Sequence, residues 1–482
     1  MDTVITTSEN KPHVICAPLP AQSHIKAMLK LAEYLHHKGV QITFVNTDHT
    51  HKRLLKSGGP HCLDGSSSFR FETIPDGIPH TSEDDDGSAL LMHYVETTFL
   101  TPFLDLVTNL PNPPTCIISD GFMSVFTIEA AQKLGIPIML YWTFSACGFM
   151  GIYQIKSLID KGLVPLKDKS FLTDEFLEGI IDWIPGMEGI RIKDLNTILQ
   201  TTDPDDLILR ICIEATQNSH NVSYNIFHTF NALEPSIVNA LSSMFSQIYT
   251  VGPMQLLLDQ VPKYEKQTEM SNFSSYSLWK EEPGCFNWLQ SKEPKSVIYV
   301  NFGSFTVMSL EDLIEFGWGL ANSNHYFLWI IRSNLLVGES AILPPEFEEH
   351  TKKRGFIASW CSQEKVLNHP SIGGFLTHCG WGSTIESLSA GVPMICWPYL
   401  WDQTTNCRYI WKEWEVGLEM GKNVKREEVT KLVQELMGEK GNKLRDKAME
   451  WKEKALAAAG PNGSSSLSVN NLIEEIITLS RN

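Results

Sequence analysis

The chain has 482 residues, 43% of them hydrophobic and 20% charged, with a formal net charge of −17. That length exceeds one ordinary core, so two domains are expected. The acidic balance argues against nucleic acid and anionic membrane surfaces as partners, but leaves room for a local site that takes a phosphate.

In chain order, the N-terminus MDTVITTSENKPH lacks the basic and apolar stretches of a signal peptide. His13–Ala17 reads as a short apolar strand. Ser23 then reads as an N-cap, with Ile25, Met28, Leu29, Ala32 and Leu35 at helical spacing and Gly39 ending the helix. Gln41–Asn46 is the next strand. Cys116–Ser119 and Pro137–Trp142 are two more, separated by a helix-like Phe126–Leu134. Leu134–Ile155 carries no charge, yet its Pro, Gly, Thr and Ser residues favour a buried strand, a loop and a helix over a membrane span. Pro253–Glu282 is polar and poorly periodic and reads as a linker. Strands resume at Ser296–Phe302, Tyr326–Arg332, Phe356–Trp360, Gly374–His378 and Met394–Pro398, with helices between them. From Asn423 the chain is helical and amphipathic, and Pro461-Asn462-Gly463 splits off a last helix, Ser466–Ser480.

The β-α-β order implies parallel sheets with right-handed crossovers. The expected organisation is an N-terminal domain over 1–252, a linker over 253–282, a C-terminal domain over 283–460, and a final helix, 461–482, packing back on the N-terminal domain. Two facing doubly wound α/β domains would place ligands just after their strands, in the cleft between them. The ten cysteines form no CxxC pair, and several lie in apolar runs. They read as reduced, buried thiols of a cytoplasmic protein. The acidic stretch Glu83–Asp86 and the pair Asp203 and Asp205 lie in polar segments rich in Gly, Ser or Pro, so they read as solvated loops and no metal site is expected.

The chemistry concentrates in Trp360–Gln403. Gly374–His378 ends a strand, Gly380-Trp381-Gly382 makes a turn, and Ser383 begins a helix. Free N–H groups at a helix start favour a phosphate, and His378 can donate to the same oxygens. Glu386 can accept from ribose hydroxyls. Taken singly these residues are ordinary. Ser383 to Glu386 also fits a capping box, Trp360 also reads as core, Cys379 as packing, and Asp402-Gln403 as a surface helix start.

Upstream, Pro18-Leu-Pro-Ala-Gln-Ser-His24 follows the first strand, and Asp120 ends another. A histidine suits proton removal from an alcohol near neutral pH, and an aspartate on its far nitrogen fixes the tautomer.

Taken in order, Trp360-x-x-Gln363, His378-Cys-Gly-Trp381, Ser383-Thr-Ile-Glu386 and Asp402-Gln403 match the plant secondary-product glycosyltransferase box without a gap. The chain resembles the plant family 1 UDP-glycosyltransferases. Segments such as GPHCLDG (59–65), FRFETIPDG (69–77) and FHTFNALEPS (227–236) resemble their 85-type branch, and within it the steviol 13-O-glucosyltransferases of diterpenoid glycoside biosynthesis.

The resemblance implies a GT-B fold and a metal-free inverting transfer. UDP-glucose would be a co-substrate, with no cofactor. His24 would deprotonate the acceptor and Asp120 would support it. Trp360 would stack on uracil, with Cys361 and Gln363 beside it. Glu386 would bind ribose, and His378, Trp381, Gly382 and Ser383, with Ser304, would hold the diphosphate. Asp402 and Gln403 would bind the sugar, the terminal Gln pointing to glucose. The chain departs from the family at Cys361-Ser362, usually Ala-Pro, at Gly382, usually Asn, and at Trp401, bulky for its place. Gly382 leaves a backbone N–H where an Asn would add a side-chain contact.

The acceptor would be a small lipophilic alcohol, a diterpenoid such as steviol at its 13-hydroxyl, giving a β-glucoside. Phe122, Met123, Phe144 and Met187 are candidates for its pocket wall, each equally readable as core. Rival acceptors are a flavonoid, a monoterpenol or a cyanohydrin. A rival of another class is a non-catalytic nucleotide-sugar binder. A dinucleotide oxidoreductase would need GxGxxG after the first strand, where Pro18-Leu-Pro stands instead. No integral membrane segment is expected, and a monomer is favoured.

Overall fold

The first strands have apolar centres such as VICA and CII, which suits a parallel sheet covered on both faces. A computed structural model describes residues 11–80, 88–262, 277–332, 334–336 and 343–481. Strands β1 (His13–Ala17), β2 (Gln41–Thr47), β3 (Phe69–Ile74), β4 (Cys116–Asp120) and β5 (Ile138–Trp142) are followed by a small antiparallel pair, β6 (Ile180–Ile181) with β7 (Ile190–Arg191). Then come β8 (Tyr224–Phe227) and β9 (Gln247–Thr250). Seven of these form one parallel sheet in the order β3-β2-β1-β4-β5-β8-β9. The order reverses at β1/β4, and polar residues at strand ends gather there. β1 and β4 are buried along their whole length.

A second parallel sheet follows. It contains β10 (Val297–Asn301), β11 (Tyr326–Ile330), β12 (Gly355–Ala358), β13 (Ile372–Thr377), β14 (Met394–Cys396) and β15 (Gly417–Glu419). Their order is β12-β11-β10-β13-β14-β15, reversing at β10/β13.

By contacts the chain divides into two units. One holds Met1–Ile192, Ile198–Trp279 and Ala457–Asn482. The other holds Lys193–Thr197 and Lys280–Leu456. In the first, Val14, Met28, Leu35, Phe44 and Ile118 share a core with Val469, Leu472 and Ile476 of the C-terminal helix Ser464–Leu479. In the second, Val300, Phe316, Trp329, Leu376 and Leu436 form the centre.

The first helix, the linker and the helix after β13 begin elsewhere than the sequence reading placed them, whereas the uncharged run divides as expected. The first helix is Gln22–His37, with Ala21 as its N-cap and no side-chain cap bond, so Ser23 lies inside it. The expected linker starts later than its composition suggests. Met254–Asp259 is helical, and Met254, Leu257 and Leu258 are buried in the first core. Residues 263–276, the most polar part of that stretch, lie outside the described residues. The helix after β13 is Trp381–Ala390, two residues earlier than Ser383. The uncharged run Leu134–Ile155 splits into β5, a loop and the helix Ala146–Tyr153. Among the described residues no helix is long and apolar enough to cross a membrane.

The ten cysteines are free, nine of them buried. The Glu83–Asp86 stretch lies outside the described residues. Asp203 and Asp205 form an exposed turn, with the Asp205 N–H donating to Asp203 Oδ1 at 2.9 Å.

Candidate active site

The first unit brings three polar side chains together at the ends of β1, β4 and β5. His24 sits in the first turn of the helix after β1, and Asp120 is the last residue of β4. His24 Nδ1 lies 2.7 Å from Asp120 Oδ2. The Asp120 side chain is 2% exposed and that of His24 18%, so the carboxylate is sealed while the imidazole keeps one open side. Asp120 Oδ1 accepts from the Phe122 N–H at 3.1 Å, which fixes the carboxylate from behind. Thr143, just past β5, places its Oγ1 2.8 Å from His24 Nδ1 and 3.4 Å from Asp120 Oδ2. A carboxylate on Nδ1 selects the Nδ1–H tautomer and leaves Nε2 as the basic nitrogen. Sequence reading missed Thr143. Its only signal is its place directly after a strand whose neighbour ends in Asp120.

Around this pair the walls are aromatic. Phe122 stacks on Phe144 with centroids 5.6 Å apart and an interplanar angle of 14°, and tilts against His24 at 6.2 Å. Trp142 meets both phenylalanines edge-on. Met123 is buried in the turn that follows Asp120. Met187 is buried in a turn closed by its N–H on the Ile184 carbonyl, while a Cβ at neighbouring Gly186 would meet the Ser236–Ile237 backbone.

The second unit gathers the residues that follow β10, β12, β13 and β14. Gly380 is the N-cap of Trp381–Ala390, without a side-chain cap bond. The first intrahelical bond there runs from the Thr384 N–H to the Gly380 carbonyl at 3.0 Å. The N–H groups of Trp381, Gly382 and Ser383 therefore precede it, and the positive end of the helix stands with them. The capping-box alternative is overturned. Glu386 Oε2 accepts from Gln363 Nε2 at 2.9 Å, and the same nitrogen donates to Ser383 Oγ at 3.0 Å. Gln363 Oε1 accepts in turn from Asn301 Nδ2 at 2.9 Å. Gln363, Ser383, Glu386 and Asn301 thus form one network, of which sequence reading missed only Asn301.

His378 stands between two glycines. A Cβ at Gly303 or Gly380 would come 2.3 or 2.4 Å from its Nε2, so neither position admits a larger residue. Gly303 also has φ +71°, which favours glycine. Burial, with the Arg332 charge next, lowers the His378 pKa to about 3, so the ring is neutral and acts as a hydrogen-bonding group rather than a cation. Its Nδ1 has no partner among the described residues. Arg332 is 2% exposed and bonds to the Thr306 carbonyl and Asn334 Oδ1. Nothing in the linear pattern marked it. Ser304 follows Gly303 in the turn after β10.

Trp360 is half-buried, and its carbonyl accepts from the Glu282 N–H at 3.0 Å. Cys361 is buried beside Tyr299, 3.5 Å from its hydroxyl. Asp402 caps the short helix Gln403–Arg408, and its Oδ2 accepts from Asn406 Nδ2 at 2.9 Å. Gln403 Oε1 accepts the N–H groups of Tyr399 and Leu400, both at 2.9 Å, so that oxygen serves its own turn and only the NH2 remains for a ligand. Trp401 has φ +62° and is held by Thr197, whose Oγ1 accepts its N–H at 2.8 Å. Thr404 and Thr405 donate to the carbonyls of Leu195 and Asp194. The short piece Lys193–Thr197 is thereby strapped onto the loop that carries Asp402 and Gln403. Beneath the His378 turn, the sulfurs of Cys379, Cys396 and Cys407 lie within 4.8 Å of one another, all buried.

Comparison with known proteins decides the family. A family model described as UDP-glucoronosyl and UDP-glucosyl transferase matches residues 226–451. The chain is 68% identical to UDP-glycosyltransferase 85C2 of Stevia rebaudiana over 100% of both chains. It belongs to the UDP-glycosyltransferases. The transferase is also 53% identical to a 7-deoxyloganetin glucosyltransferase of Gardenia jasminoides, over 95% of this chain and 96% of that one. Among solved structures it is similar to a UDP-glucose: anthocyanidin 3-O-glucosyltransferase in complex with UDP. That match has a TM-score of 0.78 and 28% identity, and covers 98% of the transferase and 100% of that chain. The 85-type resemblance and the two doubly wound halves of the GT-B fold are thus borne out.

Proposed function

We propose that the protein is an inverting UDP-glucose-dependent O-glucosyltransferase. Its acceptor is a small lipophilic alcohol, a diterpenoid such as steviol at the 13-hydroxyl, and its product a β-glucoside. The observation that carries this reading is the His24–Asp120 bond of 2.7 Å, with Thr143 and an aromatic wall around it. A sealed carboxylate behind a half-open imidazole is a proton acceptor prepared for an alcohol. The resemblance to the steviol 13-O-glucosyltransferases noted from the sequence supports a diterpenoid, and the glucosyl names of two relatives favour glucose.

In this mechanism the first unit handles the acceptor and the second the donor. Trp360 stacks on uracil with Cys361 and Gln363 beside it, Glu386 takes the ribose hydroxyls, and Asp402 with the Gln403 amide NH2 holds the sugar. His24 Nε2 takes the proton from the acceptor hydroxyl. That oxygen attacks the anomeric carbon from the face opposite UDP, the bond to the diphosphate oxygen breaks, and the configuration inverts. Negative charge grows on the leaving diphosphate. The N–H groups of Trp381, Gly382 and Ser383, with His378 and Ser304, stabilise it. Asp120 stabilises the imidazolium as it forms. The protein works as a cytoplasmic monomer.

The test is purified protein with UDP-glucose and a panel comprising steviol, its partial glucosides, a flavonol, a monoterpenol and a cyanohydrin. Transfer to steviol with a β-anomeric product is expected. Transfer to flavonols alone would remove the diterpenoid assignment, and no UDP release with any acceptor would remove the enzymatic one. His24→Ala should abolish transfer while titration calorimetry still records UDP binding. Lost UDP binding would make His24 structural.

A further inference from the structure

Asn46 is a polar residue in an apolar place. It stands near the end of β2 and is 3% exposed. Neither its amide nitrogen nor its amide oxygen has a hydrogen-bond partner among the described residues. A buried amide forfeits the bonds it would make in water, so such a group calls for something that completes it. The side chain lines a small cavity with Ile25, Phe99, Phe103 and Met123. Thr47 and Thr50 also line it, but their hydroxyls bond to each other at 3.0 Å. The cavity therefore presents one open amide on an apolar wall.

Strand register sets this amide beside the proton-transfer pair. Cys16 of β1 pairs with Phe44 of β2 and with Ile118 of β4. Asn46 and Asp120 each lie two residues further on, so they share one level and one face of the sheet. They flank β1 on opposite sides, two strand spacings or about 10 Å apart. Ile25, in the cavity wall, directly follows His24, and Met123 lies in the turn after Asp120. The switch point at β1/β4 is where a doubly wound sheet receives its ligand.

We propose that Asn46 is an acceptor-recognition residue. Its amide hydrogen-bonds a second polar group of the acceptor, across an apolar skeleton from the hydroxyl that His24 deprotonates. The ligand class is a rigid lipophilic alcohol with a carboxyl, carbonyl or second hydroxyl about 5–10 Å from the reacting oxygen, the scale of one to two strand spacings. An amide suits all three, since its NH2 donates to a carbonyl or carboxylate and its oxygen accepts from a hydroxyl. Such a site rejects an analogue lacking the group, because the amide is then left unpaired, whereas an apolar wall discriminates weakly. This inference rests on the acceptor reading given under Proposed function.

The test uses the full chain, UDP-glucose and two matched polycyclic alcohols, one with a distal carboxyl or keto group and one with hydrogen in its place. The wild type should prefer the first. In Asn46→Leu, an apolar near-isostere, the ratio of the two kcat/KM values should fall about 30-fold or more, mainly through KM. Its Kd for UDP should stay unchanged, and its Tm should hold or rise as the unpaired amide is removed. Equal losses on both alcohols would make Asn46 structural and overturn the proposal. If Asn46→Leu does not fold, Asn46→Ala is read in the same way, and failure of both to fold also assigns the residue to structure. Turnover of both alcohols without preference by the wild type overturns this inference alone. Turnover of neither sinks the acceptor reading and this inference with it.

Discussion

The polar site of the first unit is built from side chains, whereas that of the second adds the backbone N–H groups of a helix start to its side-chain network, although both stand at the carboxyl ends of parallel strands. In the first, a histidine, an aspartate and a threonine converge from three elements, and the backbone contributes one N–H to Asp120. In the second, glycines at 303 and 380 let a neutral histidine and a helix start occupy the same small volume. The difference follows from the work proposed for each. Moving a proton needs a titrating group, which only a side chain supplies. Holding a diphosphate needs many fixed donors, which a helix start supplies without desolvating a charge.

The largest effect should come from separating tautomer control from binding. Asp120→Asn keeps the shape but removes the anion behind His24. We expect kcat to fall about 10³- to 10⁴-fold while the Kd for UDP changes less than twofold by calorimetry. A comparable loss of UDP affinity would erase the division of labour between the two sites.

Gly380→Ala probes the other site. Its added Cβ would lie 2.4 Å from His378 Nε2, so the ring or the helix start must move. A 10- to 100-fold weaker UDP complex is expected, equivalent to about 1.4–2.7 kcal/mol. A far smaller change would mean that the His378 ring can shift without cost.

His378 also gives the second site a pH signature. Burial and Arg332 depress its pKa from 6.5 to about 3. The unfolded chain therefore binds the proton more readily, and acid favours unfolding. The stabilising contribution is complete above pH 6.5 and is lost as pH falls from there toward about 3. Thermal midpoints measured across that range should decline, and His378→Gln should flatten the decline. A variant as acid-labile as the wild type would shift the cause to other groups, such as His36, also depressed by burial to about 4.

Much of this was legible in the linear order. Strand cores such as VICA and CII are continuous apolar runs, which announce a covered parallel sheet, and polar residues at or just after their ends mark the ligand edge. His24, Asp120 and His378 were found this way, Ser383 and Glu386 at the helix start that follows, and Gln363 only through the resemblance to the glycosyltransferase box. What escaped were partners whose meaning depends on register. Thr143 and Asn301 are ordinary residues until the neighbouring strand is placed, and Arg332 reads as the polar end of a strand. The strap Lys193–Thr197 escaped for another reason. Its bonds to residues 401–405 span about two hundred residues and run mostly through backbone carbonyls, which no side-chain pattern encodes. The helix start was misplaced because Ser383 is a good capping residue, whereas the chain uses Gly380, whose lack of a Cβ makes room for His378.

The smallest expected effect tests whether the family departure at Gly382 is a loss or a compensation. Gly382 is the second residue of its helix, and a Cβ there would meet nothing within 4 Å. Its φ is not in the left-handed region, so glycine is not demanded by conformation. Gly382→Ala should therefore stabilise the fold by about 0.5–1 kcal/mol, read as a rise in Tm. Gly382→Asn should add a donor beside the diphosphate N–H groups and lower the KM for UDP-glucose a few-fold, roughly the worth of one hydrogen bond. The two substitutions separate backbone from side chain at one position. If alanine stabilises and asparagine does not tighten the donor, the N–H groups at this helix start already suffice. If asparagine tightens it beyond what alanine does, the second site has room for side-chain recognition that this chain leaves unused.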